Sequence, residues 1–154
     1  MSPNPCHHGR CRGFSLLEVL VALFVLSIGL LGLAGLQTFG FKFNQQSYER
    51  TQATLLIYDI IDRMRANPNG LASYARGFGT ALTAPSINCA TTACPAATAI
   101  AAFDLYQWRR TIQSARMLPS GDGAITFNGS LATVSVRWQE NGLNVTQGVT
   151  VQIL

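Results

Sequence analysis

One run of sequence constrains the rest of the chain. From Gly13-Phe14-Ser15-Leu16-Leu17-Glu18 through about Leu36 the residues are apolar, Glu18 is the only charge, and Arg10 and Arg12 stand just before. Rising about 1.5 Å per residue as a helix, the run measures roughly 35 Å, enough to cross a hydrocarbon core of about 30 Å. The spacing predicts a membrane span. Arg10 and Arg12 retain its N-terminal end in the cytoplasm by the positive-inside rule, so the remainder of the chain faces outward.

An ionised carboxylate at a bilayer centre costs about 3 kcal/mol or more, and although Glu18 sits only about a turn inside the run, something should compensate it. Two partners fit. One is local: Ser15 and Glu18 have the S-x-x-E spacing of a capping box, and an acid in the first turn meets the positive end of the helix dipole. The other is intermolecular: a cut between Gly13 and Phe14 creates an α-amino group, with a reference pKa of about 8, at the depth of a neighbour's Glu18. Spacing alone leaves both open.

A basic leader, Gly13-Phe14, and then Ser-Leu-Leu-Glu-Val-Leu-Val-Ala-Leu from Ser15 resemble the class III signal of type IV prepilins and type II secretion pseudopilins. Order, glycine, aromatic and acid all agree. In that family a membrane-embedded prepilin peptidase cuts after the glycine and methylates the new N-terminal phenylalanine. The resemblance implies that Gly13 ends the leader, that Phe14 is the N-methylated mature terminus, and that Glu18 is the acid of the assembly salt bridge. A secretory signal peptide is the competing reading, since Gly32-Leu33-Ala34 is a small-x-small site. Against it stand the length of the apolar region and the charge of Glu18.

With 154 residues, 12% of them charged and 48% hydrophobic, the chain allows one globular domain beyond the span. Gln37 to Leu154 can bury a modest core. The formal charge of +4 falls to +2 once Arg10 and Arg12 leave with the leader, too weak to argue for a nucleic-acid partner. Cys6, His7, His8 and Cys11 crowd the leader, but zinc sites show paired ligands recurring at a distance and no second pair follows. No metal or cofactor is expected. Cys11 also precedes the apolar segment, where a lipoprotein cysteine would follow it. His7 and His8 are the only histidines, so no Ser/His/Asp or Cys/His arrangement outlasts leader removal and no catalytic residue is expected.

Gly29, Gly32, Gly35 and Gly40 each cost about 1 kcal/mol relative to alanine inside a helix, which makes this a locally weak helix. Small residues also allow close helix packing. From about Phe41 the pattern turns amphipathic: Leu55, Tyr58, Ile61 and Met64 or Arg65 recur every three to four residues, with Glu49, Arg50, Asp59, Asp62 and Arg63 between them. The spacing predicts one helix of about fifty residues, ended by Asn67-Pro68-Asn69-Gly70. Asp59, Asp62, Arg63 and Arg65 read as a solvated face with (i, i+3) and (i, i+4) pairs.

Leu71 to Pro95 is rich in Gly, Ala, Ser and Thr and holds Cys89 and Cys94. With the leader gone these are the only cysteines, and in an oxidising compartment they should form a structural disulfide of about 2 kcal/mol. Their spacing does not fit a CxxC redox motif. Pro95 opens a short amphipathic helix carrying Ile100, Phe103, Leu105, Trp108, Ile112 and Ala115, with Arg109, Arg110 and Arg116 near its end as C-terminal cations over a core tryptophan. Pro119-Ser120-Gly121-Asp122-Gly123 reads as a loop. Beyond it, from about Ala124, the period becomes two: Val134, Val136 and Trp138 alternate with polar residues, as do Val149, Val151 and Ile153. Asn128-Gly129 and Asn141-Gly142 signal hairpin turns. The expectation is an antiparallel meander whose apolar face rests on the amphipathic half of the long helix.

The fold class expected is therefore α+β and pilin-like, a long N-terminal helix with a transmembrane first half packed on a C-terminal antiparallel sheet. Its parts are a leader (1–13), a hydrophobic transmembrane and assembly helix (14–40), an amphipathic half (41–67) and a periplasmic globular domain (68–154). Asp62-Arg63-Met64-Arg65-Ala66-Asn67-Pro68, Asp104-Leu105-Tyr106-Gln107-Trp108 and Leu118-Pro119-Ser120-Gly121-Asp122-Gly123 resemble the PilV type of minor pilin. Cys89 and Cys94 precede the sheet, whereas the typical disulfide of major pilins clamps a C-terminal region.

The resemblance implies a non-enzymatic subunit of the inner membrane and then of the pilus tip. Its partners would be the prepilin peptidase, other minor pilins, the major pilin, inner-membrane lipid and a large tip adhesin. Two rivals share the signal or the surface: a minor pseudopilin of type II secretion, and a DNA-uptake module using Arg76, Arg109, Arg110 and Arg116, whose binding would weaken steeply with salt.

Overall fold

The computed structural model describes residues 13–114 and 118–153. The leader's Cys6, His7, His8, Arg10, Cys11 and Arg12, and Ala115 and Arg116 beyond the second helix, lie outside the described residues. The fold is α+β: a long helix α1 (Leu16–Ala66), a 3-10 helix (Pro68–Tyr74), a helix α2 (Ala97–Gln113), and strands β1 (Asp122–Asn128), β2 (Leu131–Glu140) and β3 (Leu143–Gln152). Two compact units divide the chain, one ending at Phe43 and one beginning at Asn44. Helix α1 contributes to both.

In the first unit α1 stays helical through Gly29, Gly32, Gly35 and Gly40, and a Cβ added at any of them meets open space. Every described residue up to Gln45 is exposed on the isolated chain. So long an apolar surface needs lipid or protein around it. Of the described helices only α1 is long and apolar enough to cross a membrane. Its hydroxyls are satisfied from within: Ser27 Oγ donates to the Leu23 carbonyl at 2.7 Å and Thr38 Oγ1 to that of Ala34 at 3.0 Å.

In the second unit the sheet runs in the order β1-β2-β3, antiparallel throughout. Asn141 and Gly142, at φ of +53° and +80°, form the two-residue turn between β2 and β3, which is the geometry that favours Asn-Gly. The first turn sits one residue later than Asn128-Gly129 suggests. Asn128 pairs with Leu131, so Gly129 and Ser130 are its central residues, with Gly129 at φ +60°. Strand β1 also starts two residues before Ala124, at Asp122, because Asp122 and Gly123 pair with Arg137 and Val136.

The core-facing row of β2, Ala132, Val134, Val136 and Trp138, is fully buried against Ala53, Leu56, Ile57, Ile60, Ile61 and Met64 of α1 and Ala101, Leu105, Trp108 and Ile112 of α2. This face of α1 is turned from the one the spacing picks out: Ile61 and Met64 are buried, but Leu55 and Tyr58 are 57% and 48% exposed. Apolar residues encircle this turn of the helix, so their spacing does not fix its rotation; the polar contacts do. Trp138 Nε1 donates to Glu49 Oε2 at 3.1 Å, Gln147 Nε2 to Thr54 Oγ1 at 2.6 Å, and Trp108 Nε1 to the Leu56 carbonyl at 2.8 Å. Glu49, one of the charges placed between apolar positions in the sequence, is only 5% exposed and accepts a second hydrogen bond from Gln45.

Candidate functional site

The first unit holds the residues that the apolar run singles out. Ser15 stops one residue short of α1, where its Oγ accepts the Glu18 backbone N–H at 3.2 Å and its carbonyl accepts the N–H groups of Glu18 and Val19. That is half of a capping box. The returning half, from the Glu18 carboxylate to the Ser15 N–H, is not among the hydrogen bonds of the described residues, nor does Glu18 join an ion pair among them. Phe14 and Glu18 line one shallow depression with Val19, Ala22, Leu23 and Leu26. The carboxylate thus stands in an apolar surround beside the residue that would carry a new amine.

The second unit gathers the motif residues into structural ties. Arg63 pairs with Asp59 one turn back, the solvated (i, i+4) pair that sequence suggests, but its Nη1 also reaches Asp104 Oδ1 of α2 at 3.2 Å. Tyr74 Oη donates to Asp104 Oδ2 at 2.6 Å, and Asn67 Nδ2 donates to Tyr74 Oη and to the Ala97 carbonyl. Burial and then the hydrogen bond to Asp104 push the Tyr74 phenol up, so it remains a donor. This network fastens the end of α1, the 3-10 helix and the start of α2 together. Among the described residues Arg65 makes only the surface pair with Asp62.

A second tie lies at Asp122. Arg109, 2% exposed, donates through Nη2 to Asp122 Oδ1 at 2.7 Å and through Nη1 to the Thr80 carbonyl. Asp122 also accepts the N–H groups of Gly79 and Gly123, and Arg137 Nη2 lies 3.6 Å from it. Burial works to raise the Asp122 carboxyl, but the two backbone N–H groups and Arg109 outweigh it and hold the group below its ordinary value. Arg109, expected as a C-terminal cation of α2, is therefore a core cation paired with Asp122. Of the arginines considered for nucleic acid, Arg76 joins β1 by a two-way backbone bridge to Ile125 and Arg110 is exposed. Buried Arg109 is not available to a phosphate.

Cys89 and Cys94 sit side by side, their Cα atoms 5.3 Å apart, within the span a disulfide needs. Among the described residues no group of three His, Cys, Asp or Glu side chains is placed to hold a metal. Sequence reasoning did not find Tyr74, or Asp122 as the acceptor of Arg109. Each lies at the end of a regular element, in a stretch that the sequence alone reads as loop, and its partner stands elsewhere in the chain, so periodicity carries no signal of the pairing.

A helix whose acid in the first turn has no partner among the described residues, whose first half is long and apolar enough to cross a membrane and whose second half packs on an antiparallel sheet defines an α+β class with a candidate membrane anchor. Residues 8–34 match the prokaryotic N-terminal methylation motif, and residues 35–106 match the Tt1218-like family, described as type IV pilin Tt1218. The two matches adjoin and support a type IV pilin, a structural and not an enzymatic class, whose motif implies processing by prepilin peptidase and assembly with other pilins. No curated protein and no solved structure matches the chain.

Proposed function

We propose that this chain is a minor pilin of the PilV type that helps to initiate type IV pilus assembly in a tip complex with other minor pilins. The leader 1–13 is removed between Gly13 and Phe14, and Phe14 is N-methylated. Segment 14–40 holds the subunit in the inner membrane, 41–67 carries the amphipathic half of the helix, and 68–154 forms the periplasmic domain, closed by a Cys89–Cys94 disulfide. On extraction from the bilayer, Glu18 pairs with the N-terminal amine of an adjacent pilin. The observation that carries this reading is that Ser15 caps the backbone of Glu18 while the carboxylate has no partner of its own among the described residues. A buried or lipid-facing carboxylate needs a cation, and a neighbour's new α-amine is one at the same depth. The PilV assignment rests on the three motifs, which in the second unit supply Arg63, Asn67, Asp104, Trp108 and Asp122 to its buried polar ties.

The test is the N-terminus and intact mass of the chain recovered from membranes, with and without the host's prepilin peptidase. The expected product begins at methylated Phe14 only when the peptidase is present, and its mass is two hydrogens short of the dithiol. A start after Ala34, or an intact leader in both strains, overturns the reading. Glu18→Gln should leave cleavage intact and abolish incorporation into pili; wild-type incorporation would remove the salt-bridge role.

A further inference from the structure

Strand β3 closes the sheet on one side, and among the described residues no strand pairs with its outer edge. In a hairpin with a two-residue turn the pair flanking the turn exchanges both hydrogen bonds, and bonding alternates from there. Glu140–Leu143 is that pair. The backbone groups of Leu143, Val145, Gln147, Val149 and Val151 therefore face β2, while those of Asn144, Thr146, Gly148, Thr150 and Gln152 point outward. Exposed edges are ordinarily guarded by charge, proline, a bulge or short length. Strand β3 has none of these: it spans ten residues in unbroken register with β2, and Leu-Asn-Val-Thr-Gln-Gly-Val-Thr-Val-Gln contains no ionisable side chain and no proline.

The core is also unfinished on this side. On β2, Ala132, Val134 and Trp138 are fully buried, but their partners on β3, Val151, Val149 and Val145, are only half-buried. Tyr58, one helical turn beyond the Thr54 that Gln147 reaches, is about half exposed on the same flank of α1. Open backbone groups and an uncovered apolar row thus lie along one line. A single added strand would satisfy both.

We propose that β3 receives an extended segment of a neighbouring pilin-class subunit as a fourth strand. This rests on the pilin reading, which places other pilins beside this chain. The neutral edge selects a segment free of charge at its centre, because a charge laid there would lose water and gain no partner. Apolar residues at every second position of that segment would cover Val145, Val149 and Val151, and main-chain hydrogen bonds to Thr146, Gly148 and Thr150 would set its register.

The experiment places a photo-crosslinking residue at Thr146 or Thr150 of the full-length chain in its own host, with exposed Thr126 on β1 as control. The expected result is an adduct with a different pilin-class subunit from positions 146 and 150 and not from 126, with the crosslink mapping to an extended, alternating segment. Placing proline at one outward position, Thr146→Pro with the probe at 150 or the reverse, removes an outward N–H and should lower the adduct by about tenfold. Should a proline variant fail to accumulate, Thr146→Lys or Thr150→Lys, which charges the strand and leaves the backbone intact, should lower it likewise. Adducts only with a second copy of this chain, none with another pilin, or adducts unchanged by the variants would overturn the proposal. The N-terminus is read in the same samples. A chain starting at Phe14 without the adduct overturns the fourth strand alone, whereas a retained leader overturns the pilin reading.

Discussion

Asp122 ties several parts of the globular unit together, gathering α2 through Arg109, the 79–80 loop through the Gly79 N–H and β2 through Arg137. Replacing one member of a buried ion pair leaves the other charge uncompensated, so Asp122→Asn should destabilise the protein by about 3 kcal/mol at neutral pH. The pH dependence has a definite sign. A carboxyl held below its unfolded pKa contributes its full stability above that value, about 4, and loses it as pH falls through the lower folded value. Thermal unfolding of the full chain in detergent should therefore show a gap between wild type and Asp122→Asn that is constant near neutrality and narrows below about pH 4. A gap unchanged down to strongly acid pH would mean that the ionised carboxylate is not what holds these elements. Gly123 adds a constraint at the same place, since a Cβ there would collide with the Trp108 ring.

Among the elements, the β2–β3 hairpin depends on two left-handed residues. A non-glycine residue in that conformation costs about 1–2 kcal/mol, less for Asn, so Gly142→Ala should lower stability by about 1 kcal/mol while Asn141→Gly changes little. Equal losses from both, measured by thermal unfolding, would contradict a turn of this geometry. This hairpin was legible in the sequence because its signal is chemical and local: Asn-Gly between alternating valines admits few other readings. The long helix and its end at Asn67-Pro68 were legible for the same reason. The rotation of α1 was not, because Leu55, Leu56, Ile57, Tyr58, Ile60 and Ile61 offer apolar surface on every side and the choice falls to the polar contacts of Glu49 and Thr54. Nor were the ties of Arg63 to Asp104 and of Arg109 to Asp122, 41 and 13 residues apart, since their partners meet only once the chain has folded. For the candidate site, sequence marked Phe14 and Glu18 and gave the Ser15 cap as one of two readings. The structure adds that the cap uses the backbone of Glu18 and not its carboxylate.

At the scale of the whole molecule, the two units meet different demands. The globular unit is fastened by buried polar ties, whereas the apolar part of α1 has no such fastening among the described residues and contains four glycines that cost about 1 kcal/mol each relative to alanine. We predict that replacing Gly29, Gly32, Gly35 and Gly40 together with alanine stiffens this segment, leaves membrane insertion intact and reduces piliation. The added methyl groups meet nothing on the chain itself, so a loss would report on pliancy or on packing against neighbours, and unchanged piliation would sink the idea. The hydroxyls of Ser27 and Thr38 are satisfied within α1 itself. With each one bonded to a carbonyl of its own helix, neither needs a lipid headgroup, a water molecule or a particular neighbour. At these two positions the helix is therefore indifferent to whether hydrocarbon or protein surrounds it, so a change of surroundings is felt at the Glu18 carboxylate and not at Ser27 or Thr38.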